Sequence, residues 1–181
     1  MNMRSGILPA AVLVLAVTGC STAMQMRGAA ARAEAVMYDS SGSAVGTAQI
    51  WQDASGKVSV EISSLTLPAG THGIHFHDVG KCEGPAFTTA GGHYNPMGME
   101  HGLQNPKGPH AGDNPNIVIP AAGVGSVSFS TDRISLTPGT RTLFDADGTS
   151  LVVHASADDQ VTNPSGNSGA RIACGVVRAL P

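Results

Sequence analysis

From about residue 33 onward, apolar and polar residues alternate in short runs separated by turn formers, and that rhythm admits few folds other than an all-β one. AEAVMY leads into DSSG, AVGTAQIWQ into DASG, and KVSVEISSL into LPAG, before THGIHFHDV. Asp, Ser, Gly and Pro at these breaks reverse an extended chain. NIVIPA, GSVSFSTDR, SLVVHAS and CGVVRAL continue the series, and no run has the period of an amphipathic helix. The expectation is an eight-stranded antiparallel Greek-key β-barrel or sandwich. Two stretches interrupt the rhythm, residues 80–116 and 156–169. Loops of such length without their own secondary structure are usually functional. With 23 glycines and only 4% aromatic residues, the composition suits a loop-rich β-protein better than a helical bundle.

The first twenty residues differ in kind. MNMRSGILPAAVLVLAVTGC has one arginine, an apolar run from Ile7 to Val17, then small residues before Cys20. That is the pattern of an export signal, too short to be a spanning helix. Val17-Thr18-Gly19-Cys20 also resembles the lipobox of bacterial lipoproteins, in which the cysteine becomes the lipidated first residue of the mature chain. Lipidation at Cys20 is the expectation, with an ordinary signal peptide as the alternative. The chain then divides into a leader over 1–19, a small, polar tether over 20–32 and one domain over 33–181. The protein is expected to be exported and periplasmic, touching a membrane only through its N-terminal lipid. Met24 and Met26 in the tether have thioethers that suit Cu(I), although two methionines in a leader more often bind nothing.

The remaining cysteines, Cys82 and Cys174, are an even pair, which in an exported chain reads as one disulfide. The formal net charge is −3 and the basic residues are scattered, so no cationic stripe suggests a nucleic-acid partner.

HGIHFHDVG, His72 to Gly80, concentrates three of the seven histidines. Side chains on a strand alternate faces, so His75 and His77 point one way and His72, Ile74 and Phe76 the other. The apolar pair marks the core side. His75 and His77 therefore lie on the outer face, spaced to grip one ion, whereas His72 is expected to be architectural, bonded to the backbone. In the first long loop, Gly92-His93-Tyr94-Asn95-Pro96 is followed by His101, His110 and Asp113. Three imidazoles and a carboxylate suit a closed tetrahedral zinc site. His154 ends the run Leu151-Val152-Val153, just before the second long loop.

Taken together, these segments resemble the copper/zinc superoxide dismutase family, from about Ala33 to Leu180. GIHFH matches the family's first signature and GNSGARIACGVV, residues 166–177, its second; GGHYNP…H…HAGD matches the zinc loop in residue type and spacing. The resemblance implies copper held by His75, His77, His93 and His154. It implies zinc held by His93, His101, His110 and Asp113, with His93 bridging the two metals. It assigns Asp158 to hydrogen-bonding one ligand histidine of each metal, Arg171 to the copper mouth, and Cys82–Cys174 to the family disulfide. The implied reaction turns two superoxide anions and two protons into O2 and hydrogen peroxide by Cu(II)/Cu(I) cycling. His93 and Arg171 serve catalysis, and zinc is structural and tunes His93.

The sequence also departs from the family pattern. Lys81 stands where the signature usually has Asp, Ser or Gly, and is expected to be a solvated turn residue. The second long loop lacks the Lys/Glu-rich run of animal members and resembles that of bacterial ones. That leaves the source of steering charge unassigned. It also leaves the oligomeric state, a homodimer included, open. The competing reading is a copper-binding lipoprotein that kept the barrel and lost activity. Such a protein would be expected to lose a ligand or the mouth arginine, or to gain a Cys-x-Cys or Cys-x-x-Cys pair. This chain has every ligand and Arg171, and no such pair.

Overall fold

The computed structural model describes residues 30–181; the leader, Cys20, Met24, Met26 and the tether up to residue 29 lie outside the described residues. Ten strands follow: β1 (Ala31–Asp39), β2 (Ala44–Gln52), β3 (Val58–Thr66), β4 (Gly70–His72), β5 (Ile74–His77), β6 (Ile117–Ile119), β7 (Val124–Thr131), β8 (Ser150–His154), β9 (Arg171–Val176) and β10 (Arg178–Leu180). β1 begins at Ala31, so the last two residues expected as tether belong to the sheet. No helix among the described residues is long and apolar enough to cross a membrane.

The two turns that open the domain share one physical device. Asp39 accepts from the N–H groups of Ser41 and Ser43 at 2.9 and 3.0 Å, and Asp53 accepts from those of Ser55 and Lys57 at 2.8 and 3.1 Å. A short carboxylate that satisfies its own turn's donors reverses the chain without help from the core. β1, β2 and β3 therefore form successive antiparallel hairpins. The main sheet runs in the order β5-β8-β9-β1-β2-β3-β7 and curls into a half-barrel. β9 returns from far along the chain to lie beside β1, and β10 also pairs with β1. These are Greek-key connections.

Two of the eight expected strands are each divided, which is how eight becomes ten. THGIHFHDV is broken at Gly73: β4 pairs with β6 in a separate two-stranded sheet, while β5 pairs with β8. CGVVRAL is broken at Val177, whose N–H goes to Thr149 O instead of to a neighbouring strand. In both places one chain segment serves two partners, and period-two alternation carries no mark of a change of partner.

The core is the inward half of each strand. Ala33, Ala35 and Met37 of β1, Ala48 and Ile50 of β2, Val58, Val60 and Ile62 of β3, Ile74 and Phe76 of β5, and Leu151 and Val153 of β8 are all buried in one cluster. On the other face of β8 and β9, Val152 and Cys174 pack with Phe87, Ala90 and Cys82 of the first long loop. That loop contains only one turn of 3-10 helix, Thr88–Ala90. The disulfide Cys82–Cys174 is formed. It fastens the loop to β9 and covers the outer face on which the histidines stand.

Candidate metal centre

His75 and His77 project from the outer face of β5, opposite Ile74 and Phe76, as strand parity requires. They are nonetheless fully buried, because the two long loops close over that face. β5 lies against β8 with His75 opposite Val152 and His77 opposite Ser150, so His154 at the end of β8 shares their face. A register shift between Val153 and His154 adjusts the end of that strand. The first loop is woven onto β5 by isolated bridges, His77 with His93 and His75 with Asp113. His93 therefore stands between two groups. Its ring centroid is 4.0 Å from that of His75 and 5.0 Å from that of His77, and 5.1 and 5.5 Å from those of His101 and His110.

The potential donor atoms of His75, His77, His93 and His154 lie within 4.8 Å of one another, as do those of His93, His101, His110 and Asp113. Hydrogen bonding shows which nitrogen each ring offers. His77 Nδ1 is 3.1 Å from Gly91 O and His154 Nδ1 is 3.1 Å from Gly169 O. A carbonyl only accepts, and a neutral imidazole has one N–H, so in both rings Nε2 is a bare lone pair. Those two Nε2 atoms face each other at 3.4 Å. His75 is oriented by Asp158, whose Oδ2 lies 2.6 Å from its Nε2 and leaves Nδ1 buried without a partner. His93 turns Nδ1 toward Asp113 Oδ1 at 2.9 Å, and its Nε2 is also a buried orphan. Four inward lone pairs without a donor among them would be costly unless a cation took them.

The second group fits a cation equally well. His93, His101 and His110 direct Nδ1 at the same oxygen, Asp113 Oδ1, at 2.9, 3.0 and 3.3 Å. Three rings crowding one carboxylate oxygen are poorly satisfied by hydrogen bonds, and His110 Nδ1 has no partner that meets hydrogen-bond geometry. Three nitrogens and one oxygen around a point form the donor set of a closed zinc site. The residues present therefore fit both metals that the sequence resemblance implies.

Electrostatics favours ligand-ready rings in the first group. Burial, with smaller contributions from neighbouring rings and Arg171, holds His77 well below the usual histidine range and brings His154 down to about 3. Burial likewise brings His93 down to about 4 against the opposing pull of Asp113. In the second group burial also opposes the charged form of His101, but hydrogen bonds to Asp113 and Asp158 prevail and push it up to about 9. Burial would raise Asp113, yet hydrogen bonds from His101, His110, His93 and the Gly102 N–H hold it far below the carboxylate range.

Asp158 joins the groups, with Oδ1 3.0 Å from His101 Nε2 and Oδ2 on His75. Asn116 holds the Asp158 backbone from both sides: its amide donates to Asp158 O at 2.8 Å and its oxygen accepts from Asp158 N at 2.9 Å. The second loop is pinned to the first by His101 N donating to Asn163 Oδ1 at 2.9 Å and Gln104 N to Gln160 O at 2.9 Å. Gly166, at φ 62°, lies so close that a Cβ there would overlap the Asp158 carboxylate and come within 2.7 Å of His101 Nε2. Only glycine suits both the backbone and the space.

Arg171 opens β9, beside the loop end that holds His154. Its Nη1 donates to Phe87 O at 2.6 Å and its Nη2 to Gly91 O, the same carbonyl that orients His77. His72 is buried with Nδ1 2.8 Å from His154 O and Nε2 3.0 Å from Pro68 O, the backbone-bonded role expected of it. Sequence reasoning missed Asn116 and the orienting carbonyls of Gly91 and Gly169, and it met Gly166 only as the first residue of the second signature, without a role. A main-chain acceptor has no residue type, and an asparagine in a loop has many commoner uses, so no sequence signal marks these contacts.

The family model for copper/zinc superoxide dismutase matches residues 44–177. "Superoxide dismutase [Cu-Zn] 2" of Aquifex aeolicus is 37% identical over 180 residues, covering 98% of this chain and 100% of that protein. A "superoxide dismutase-like protein" of Bacillus subtilis, YojM, is 42% identical over 138 residues, 75% of this chain and 70% of that one. Among solved structures, a double mutant of a Bacillus subtilis SOD-like protein superposes with a TM-score of 0.76 at 41% identity, covering 79% of this chain and 95% of that one.

Proposed function

The chain belongs to the copper/zinc superoxide dismutase family, and from that premise we propose that it dismutes superoxide with copper at His75, His77, His93 and His154 and zinc at His93, His101, His110 and Asp113. The observation that carries this reading is His93, one ring turned with Nδ1 toward the zinc group and Nε2 toward the copper group. Bound copper supplies the one-electron couple that dismutation requires, and redox-inert zinc supplies fixed charge and geometry.

The chain's own residues do the rest. The Gly91 and Gly169 carbonyls lock the tautomers of His77 and His154, and Asp158 locks that of His75, so three nitrogens are aimed before any ion arrives. His93 Nε2 takes up a proton and returns it to the reduced product, while Asp113 and the zinc ligands keep the ring from swinging away. Arg171, tied to Phe87 O and Gly91 O, holds a permanent positive charge near His77 and His154 and draws the anionic substrate. The disulfide supports that cation indirectly, because Cys82 belongs to the loop that carries both of its carbonyl partners.

On the same reading the protein is exported, loses residues 1–19 and is lipidated at Cys20. The leader pattern supports this, as does a disulfide of a kind that oxidising compartments sustain. A Cys20→Ala form that still partitions with membranes would exclude the anchor. The activity is tested by loading the protein with copper and zinc and following superoxide decay against His75→Ala. Fast decay with wild type alone is expected. Equal, slow decay of both despite bound copper would leave a copper-binding protein instead.

A further inference from the structure

Arg133 has no part in the roles assigned above. It follows β7, and its N–H caps Thr131 Oγ1 at 3.1 Å. The half-buried guanidinium makes one side-chain hydrogen bond, from Nη2 to the main-chain oxygen of Asp113 at 2.6 Å. No carboxylate side chain pairs with it among the described residues, and its Nε is buried without a partner. Such a half-satisfied cation weakens a fold more than an apolar side chain of the same shape would. Stability alone gives no account of it.

The location of its acceptor gives one. Asp113 Oδ2 takes the N–H groups of Gly102 and His110, both at 2.9 Å and both from the loop that carries the other zinc ligands. Arg133 reaches Asp113 from a different part of the barrel, beyond the end of β7. Asp113 also bridges to His75 of β5. We propose that Arg133 is a positioning residue for the zinc carboxylate. By anchoring the Asp113 main chain to the barrel, it keeps Oδ1 where His93, His101 and His110 converge, and it does so through a contact that no other ligand shares. The inference rests on the zinc-site reading and deepens it.

Charge and geometry predict opposite results. If Coulomb repulsion between the guanidinium and zinc dominated, removing Arg133 would tighten zinc binding. If positioning dominates, removal loosens it. The experiment measures zinc affinity by chelator competition, together with the visible spectrum of Co(II) in the same site, for wild type, Arg133→Met and Arg133→Lys. Arg133→Met should bind zinc at least about tenfold more weakly, in line with the loss of a ligand-orienting contact, and its Co(II) bands should shift. Arg133→Lys, which can still donate to the Asp113 carbonyl, should stay within about threefold of wild type with wild-type bands. Unchanged or tighter binding by Arg133→Met overturns the proposal. So does equal weakening in both variants accompanied by equal loss of metal-free thermal stability, which would mark a merely structural residue. A wild type that binds no zinc overturns the zinc-site reading and the proposal with it.

Discussion

His77 and His154 face each other through Nε2 atoms 3.4 Å apart, and each has its Nδ1 committed to a backbone carbonyl. Neither ring can turn away without giving up that carbonyl, so two lone pairs are held in opposition at the centre of a buried site. A shared cation relieves the conflict. Metal binding should therefore stabilise the fold, each metal held at a thousandfold excess over its dissociation constant contributing about 4 kcal/mol that is lost when the metal is removed. Calorimetry of metal-free, singly loaded and doubly loaded protein checks this. A metal-free form that melts with the loaded one would contradict the opposition.

Asp158 holds a ring of each group, with Oδ2 2.6 Å from His75 Nε2 and Oδ1 3.0 Å from His101 Nε2. Asp158→Asn sets an amide N–H against one of those ring N–H groups, so one ring must turn. Affinity should fall by about ten- to a hundredfold for the metal whose ligand ring loses its partner, copper if that ring is His75 and zinc if it is His101. Gly166→Ala should act on the same carboxylate, since its Cβ has no room beside Asp158 and His101. Parallel metal titrations of the two variants should give losses of the same kind. A Gly166→Ala protein with wild-type affinity would show that the second loop yields more easily than its contacts suggest.

The Cys82–Cys174 bond spans 92 residues. In the chain-entropy account a loop of that length is worth about 4 to 5 kcal/mol, with strain able to reduce it. Cys82→Ser/Cys174→Ser should lower the denaturant midpoint accordingly. The loop it frees carries Phe87 O and Gly91 O, which hold Arg171, so kcat/KM should fall further than copper content does. Activity that tracks bound copper alone would separate the disulfide from the mouth arginine.

Tyr94 sits in the first loop with its hydroxyl donating to Thr142 O at 2.7 Å. Burial, helped by Asp145, pushes its phenol up to about 12. The folded chain thus keeps a proton that the unfolded chain releases near pH 10. This contribution to stability is full below about pH 10 and is lost as pH rises toward 12. Against Tyr94→Phe, wild type should lose stability more steeply across that window, and the difference in phenolate absorbance should appear late. Parallel alkaline melting curves would refute the assignment.

The residue types that can hold the metals were legible before folding. The alternation in GIHFH places His75 and His77 on the face opposite Ile74 and Phe76, and the spacing of His93, His101, His110 and Asp113 within one loop describes a candidate zinc donor set. The hairpins of β1 to β3 were equally plain, because their turns are closed by their own Asp39 and Asp53 side chains. The breaks at Gly73 and Val177 were not. They arise where a strand changes neighbours, and alternation reports only which face a residue takes.

By itself the sequence determined the strand-forming runs, their inward faces, the candidate donor residues and the cysteine pair, all of which depend on local periodicity or on side-chain chemistry. Tertiary structure alone decided which nitrogen each histidine presents, because that follows from carbonyls at Gly91 and Gly169 and a carboxylate at Asp158 brought from elsewhere in the chain. It also decided that the outer face of β5 is dry and that Arg133 meets Asp113. Long-range contacts set tautomers, burial and position, and the sequence carries no local signal for contacts made across the barrel.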